Sequence, residues 1–153
     1  MDLVAEMHLI ANALEAAGID YAVCGGVAVT AYGAPRSTDD LDILVRPDDV
    51  SRVLEEVRRL GYVFAALPLC FDEGTERERQ VQRVTKLLEG QHLVLDLILA
   101  AGPFEGSLDD RVEVRLAEGP LRLVSRSVLE HMKHLAGRPK DLADLEALRK
   151  LEE

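Results

Sequence analysis

Basic residues are scarce in this chain: 18 Lys and Arg stand against 28 Asp and Glu, for a net charge of −10. A protein that coats itself in nucleic acid needs clustered cations for phosphate contacts, so the balance argues against that class. One nucleotide in a locally basic cleft, or one RNA end, stays compatible with the balance. Cysteine is also scarce. Cys24 and Cys70 are the two present, in no CxxC or other metal-ligand spacing, and are expected to be buried free thiols. No apolar run approaches the ~20 residues of a membrane span. The start, MDLVAEMH, lacks the basic-then-apolar order of a signal peptide. A cytoplasmic protein, with no membrane partner, is the expectation.

What is present suits an ordinary globular chain. Apolar residues make up 48% and charged residues 30% of 153 positions, which fits a single domain, 1–153, around one core.

Residues 2–17 repeat Leu3, Met7, Ile10 and Leu14 at helical spacing before Gly18. IDYAVC reads as a strand broken at Gly25-Gly26, with a brief helix over 27–33. DDLDILV reads as a strand entering a core. A helix opens at Pro47-Asp48 and closes at Gly61. Residues 62–67 suggest a strand, and 71–79 a charged, mobile loop. QVQRVTKLL and HLVLDLILA form a hairpin around Glu89-Gly90-Gln91. VEVRL and LRLV are weaker strands. Ser127-x-x-Glu130 reads as a capping box, and a last helix restarts at Arg138-Pro139. Hairpins and helical crossovers together give an α/β (α+β) class with a mixed sheet.

Three groups carry chemistry. Asp40 and Asp42, two apart on a strand, share a face with Cα atoms roughly 6.6–7 Å apart. They are either two solvated acids at a strand start or a pair awaiting a cation. Mg²⁺ takes one or two carboxylates plus substrate phosphates. Asp96 stands among apolar neighbours, where a bare carboxylate costs several kcal/mol unless compensated. Its compensator is a salt bridge to Arg83 or Lys86, a ring of backbone donors, or a metal. Gly25 and Gly26 let backbone N–H groups approach a phosphate, although no GK[ST] follows to make a P-loop.

The run GGVAVTAYGAPRSTDDLDILV, with thirteen residues between Gly26 and Asp40, and the later LVLDLI resemble the polymerase-β-type nucleotidyltransferase superfamily. RSTDDLD and the tail KHLAGRPKDLADLEAL resemble its AbiEii-like and related uncharacterised branch, which includes toxins of toxin–antitoxin systems. The resemblance implies a nucleotidyltransferase fold, with helices flanking the sheet and the C-terminal helices packed on it. It implies that Gly25 and Gly26 hold a nucleoside triphosphate. Asp40, Asp42 and Asp96 would be the catalytic acids and ligands of Mg²⁺, or of Mn²⁺. The acceptor is left open: an RNA end, a protein or a small molecule. The alternative is an inactive binding module that acts through a protein partner of the toxin–antitoxin kind.

Arg36 and Lys133 are candidates to offset phosphate charge, each with a solvated side chain as its plainer reading. Lys133 is expected opposite Leu129 and Met132. His131 and His134, one turn apart, lack a third ligand and read as surface residues. Asp141 and Asp144 are expected to face solvent or to pair with Arg138 or Lys140.

Overall fold

The computed structural model describes residues 2–152. Helix α1 spans Leu3–Ala16, capped by Asp2, whose side chain accepts from the Ala5 amide. A short strand β1 (Ala22–Cys24) runs straight into α2 (Gly25–Ala31), so the helix begins at the first glycine rather than after the pair. Strand β2 is Asp40–Val45. A 3₁₀ turn at Pro47–Asp49 leads into α3 (Val50–Arg58). Strands β3 (Phe64–Ala65) and β4 (Leu69–Phe71) precede the long pair β5 (Arg79–Leu88) and β6 (Gln91–Leu99). Strands β7 (Val112–Leu116) and β8 (Gly119–Leu123) precede α4 (Arg126–Ala136) and α5 (Pro139–Lys150).

Among the described residues the strands form one sheet in the order β3-β5-β6-β2-β1-β8-β7, with β4 also paired to β5. It is mixed, as expected: β2 runs parallel to β6 and β1 to β8, while the other pairs are antiparallel. Alternation along β2 and β6 sends Leu41, Ile43, Leu93, Leu95 and Leu97 to one face, all buried. Helices α1 and α3 pack together on that side through Met7, Ile10, Leu14, Val53 and Val57. Lys86 of β5 joins it by reaching Glu6 of α1 at 2.6 Å, and Tyr62 donates to the same carboxylate at 2.9 Å. The opposite face carries Asp42, Asp96 and Arg83 on one rung of the sheet.

Several local expectations are corrected. The β5–β6 turn has two residues, Glu89 and Gly90, both at positive φ, the geometry that matches strand twist in a tight hairpin. The expected loop over 71–79 loses both ends to strand, because Phe71 pairs with Arg79. Helix α4 is capped by Ser125, which accepts from the Val128 amide, and not by the Ser127 box. Cys24 is buried as expected, whereas Cys70 is exposed on the edge strand β4; both are free thiols. No described helix is long and apolar enough to cross a membrane.

Candidate active site

The register places the acids. Asp42 pairs across the parallel β2–β6 ladder with Asp96, and on its other side with Cys24 of β1. Directly paired residues share a face, so the two carboxylates sit side by side, with Asp40 one rung away. All three line one cleft of ≈ 270 Å³, and so do Gly25, Gly26, Arg36 and Lys133. The residues singled out by sequence therefore converge on one place.

Asp42 is the unbalanced member. Among the described residues its carboxylate has no hydrogen-bond or ion-pair partner. Burial, then repulsion from Asp96 and Asp40, pushes its pKa up to about 7. Asp96 is compensated differently: Arg83 donates to both its oxygens, Nε at 2.8 Å and Nη2 at 3.0 Å. The salt bridge across the hairpin is thus the observed compensator, and it lies within the cleft rather than apart from it.

The glycines divide their roles. Gly25 sits at φ +66°, and a Cβ built there would collide with the Asp42 carboxylate. Gly26 has no such φ, but a Cβ would fall 2.7 Å from Thr38. The first glycine makes room for an acid; the second lets the 36–38 loop close over α2.

Asp141 and Asp144 do not face solvent. They are 0% and 3% exposed and hold the cations of the cleft. Lys133 Nζ lies 2.8 Å from Asp144 and 3.3 Å from Asp141, Arg36 Nε lies 2.8 Å from Asp144, and Arg138 Nε lies 2.7 Å from Asp141. Burial alone would raise the Asp141 pKa, but hydrogen bonds from the Arg138 side chain and backbone, with the Lys133 charge, hold it below its ordinary value. Lys133 itself is buried on the same side as Leu129, one turn earlier, and not opposite it. His131 and His134 are exposed, as expected.

Three further cations line the cleft: Arg138, which pairs with Asp141 as one of the two expectations had it, Lys140, and Arg79, which carried no expectation. Arg138 had a signal, its i,i+3 spacing to Asp141 at a helix start. With Arg36, Arg83 and Lys133 they make six cations against four lining carboxylates, Asp40, Asp42, Asp96 and Asp141. An overall acidic chain thus gathers six cations at one cleft, three of them (Arg36, Lys133 and Arg79) paired with Asp144 and Asp72 just off its lining.

The site's fit to a divalent ion can be tested on its donors. Asp40 and Asp42 offer carboxylates without ionic partners, a set Mg²⁺ accepts together with phosphate oxygens. Among the described residues no three His, Cys, Asp or Glu side chains are grouped closely enough to hold an ion as they stand. Arg83 keeps the Asp96 oxygens occupied. Two of the three acids therefore fit directly; the third requires Arg83 to yield.

Several solved structures share the fold. ANT(2″)-Ia in complex with adenylyl-2″-tobramycin matches at TM-score 0.65 and 17% identity, over 99% of this chain and 90% of that one. A putative nucleotidyltransferase from Thermotoga maritima matches at 0.64 and 13%, over 97% and 91%. The lincosamide antibiotic adenylyltransferase LnuA, lincomycin-bound, matches at 0.61 and 16%, over 95% of each. No curated protein sequence matches the chain. A family model described as uncharacterised nucleotidyltransferase matches residues 1–149. The chain, an enzyme by that membership, belongs to this family of uncharacterised nucleotidyltransferases.

Proposed function

We propose that the chain transfers a nucleoside monophosphate from a nucleoside triphosphate to a hydroxyl group of a small molecule. The observation that carries this reading is the partnerless Asp42 carboxylate beside Asp40 and Asp96 in a cleft that six Lys and Arg side chains also line. Two like charges beside a buried acid make a site that gains most from a divalent cation arriving with phosphates.

In this reading Asp40 and Asp42 hold the ion. When bound, it neutralises phosphate charge and steadies the attacking and leaving oxygens of an in-line displacement. The chain's own groups do the rest. Arg36 and Lys133, fixed by Asp144, meet the triphosphate from the α4–α5 side. The acceptor hydroxyl oxygen forms a bond to the α-phosphorus. The bond from that phosphorus to the bridging oxygen breaks, and its electron pair leaves on pyrophosphate. The hydroxyl proton passes to the Asp96 carboxylate and on to solvent. Gly25 keeps the Asp42 carboxylate seated against the backbone.

A second reading, a module acting through a protein partner of the toxin–antitoxin kind, draws on Phe64 and Leu67, which are 55% and 85% exposed at the β3 edge of the sheet. The tail likeness to the AbiEii-like branch supports it from sequence.

Thermal unfolding with each nucleoside triphosphate, with and without Mg²⁺, tests the first reading. Ligand at ~100 times its dissociation constant adds about 2.7 kcal/mol. A metal-dependent shift for at least one triphosphate, lost in Asp42→Ala, is expected. No shift with any of them sinks the proposal and favours the partner-binding module.

A further inference from the structure

The acid rung divides the cleft. On one side lie Arg36 and Lys133, assigned above to the triphosphate. On the other side the sheet continues outward through β6, β5 and β4, and the register lays its open face out in steps. The first rung is Asp42–Asp96–Arg83. The next, two residues on, is Ile98–Val81–Leu69. The one after is Arg79–Phe71. Alternation puts all of these side chains on one face, and all line the cleft.

The far end of this wall holds an incompletely satisfied cation. Arg79 lies over the Phe71 ring, 5.7 Å from its centroid. Its Nη2 donates to Asp72 at 2.8 Å. Its Nε is buried without a hydrogen-bond partner. A guanidinium carries five N–H donors, and among the described residues Asp72 is the one carboxylate paired with Arg79, so an anion in the cleft can take a further donor.

The cleft's carboxylates are meanwhile committed. Asp141 is bound to Arg138 and Lys133, and Asp96 to Arg83. Asp40 and Asp42 are the proposed metal ligands. No lining carboxylate is left for the ammonium groups of a polyamine such as tobramycin.

Resting on the transfer reading above, we propose that the acceptor is a small hydroxyl compound with an apolar, ring-sized body and one anionic group. The hydroxyl sits at the acid rung, the body lies on Leu69, Val81 and Ile98, and the anion pairs with Arg79. The two steps of strand from the acid rung to Arg79 span about 13–14 Å between backbone positions, and the ligand covers what the Arg79 side chain does not. The transfer is balanced as before: the acceptor O–H loses its proton, gains the α-phosphoryl group, and pyrophosphate departs.

The test uses the full chain and ligand-observed saturation-transfer NMR. The probes are 3-(4-hydroxyphenyl)propionate, its methyl ester, 4-hydroxybenzylphosphonate and tobramycin. At least one anionic probe is expected to bind about tenfold more tightly than the ester, equivalent to ~1.4 kcal/mol; whichever does so identifies the anion. In Arg79→Gln that preference is expected to fall to roughly twofold or less, with the Mg²⁺-dependent triphosphate shift unchanged. The proposal is overturned if neither the acid nor the phosphonate binds more tightly than the ester, or if tobramycin is preferred. Loss of triphosphate binding in Arg79→Gln also overturns it, by assigning this wall to the donor. The wild-type acid–ester comparison needs no variant to fold. The triphosphate shift, read in the same samples, separates failure of the transfer reading from failure of the acceptor assignment.

Discussion

The carboxylate of Asp42 fills the space that a side chain on residue 25 would need: a Cβ on Gly25 would lie 2.8 Å from the Asp42 Cγ and collide with Oδ2. The glycine also adopts φ +66°, which an L side chain tolerates poorly. Gly25→Ala therefore meets steric and backbone strain together and must displace the acid. A loss of about 1–3 kcal/mol of stability is expected, and the Mg²⁺-dependent triphosphate shift should disappear with it. Chemical denaturation and thermal shift on the same protein check both. A stable variant that still binds metal and nucleotide would show that Asp42 need not be held there.

The same carboxylate makes the metal-free protein sensitive to pH. Its folded pKa of about 7 lies above the unfolded value, because burial and the neighbouring Asp96 and Asp40 disfavour its charge. In the window from about 4 to about 7 the folded state binds more protons than the unfolded one. The stabilising contribution is therefore fully present below the unfolded pKa and is lost as pH rises through 7. The rise in pKa caps the effect at about 4 kcal/mol. Denaturation in EDTA at pH 5 and pH 8 should show this fall, and Asp42→Asn should flatten it. With Mg²⁺ the trend is expected to reverse, since the ion competes with the proton for Asp42.

The acids were legible because their signal is local. Asp40-Leu41-Asp42 alternates within one strand, and Asp96 is a lone charge in an apolar one, so period two places them without knowledge of the partner strands. What could not be read was long-range. Asp141 and Asp144 look like ordinary exposed acids on a polar helix, and their burial depends on Lys133, eight and eleven residues back across the Gly137 turn. The same blindness put Lys133 on the wrong side of α4. Arg83 was foreseen as a partner for Asp96, but that this pair lies in the cleft follows only from the Asp42–Asp96 register. Arg79 was hidden for another reason: a charged stretch with Gly74 reads as loop, and only the β4–β5 pairing lifts its last residue onto the sheet.

The buried network behind the cleft gives a prediction separable from catalysis. Asp144 joins Arg36 and Lys133, which come from different parts of the chain. Asp144→Ala leaves a buried Lys133 with Asp141 as its sole carboxylate partner and frees Arg36. Breaking one partner of a buried ionic group destabilises by about 3–5 kcal/mol, and the shared Asp141 contact should keep the loss near the lower end. The Michaelis constant for the triphosphate is expected to rise more than turnover falls, because in the proposed reading the positioned cations bind phosphate rather than react. A variant with normal stability and an unchanged Michaelis constant would remove Arg36 and Lys133 from nucleotide binding.

In the proposed reading, a metal ion would compete with Arg83 for Asp96. The bidentate pair occupies both carboxylate oxygens, so any ion that uses Asp96 must displace a guanidinium. The Arg83 side chain is 43% exposed, and a pair so close to water contributes about 0.2–1 kcal/mol. Displacement is therefore cheap relative to what a divalent ion gains from a third carboxylate. Arg83→Gln removes both the competitor and a repelling positive charge, so Mn²⁺ affinity, read by the loss of free-ion EPR signal without nucleotide, should rise a few-fold. An unchanged affinity would mean that Asp96 never joins the metal. Arg83 would then be the charge that stands opposite it throughout, and the ion would rest on Asp40 and Asp42 alone.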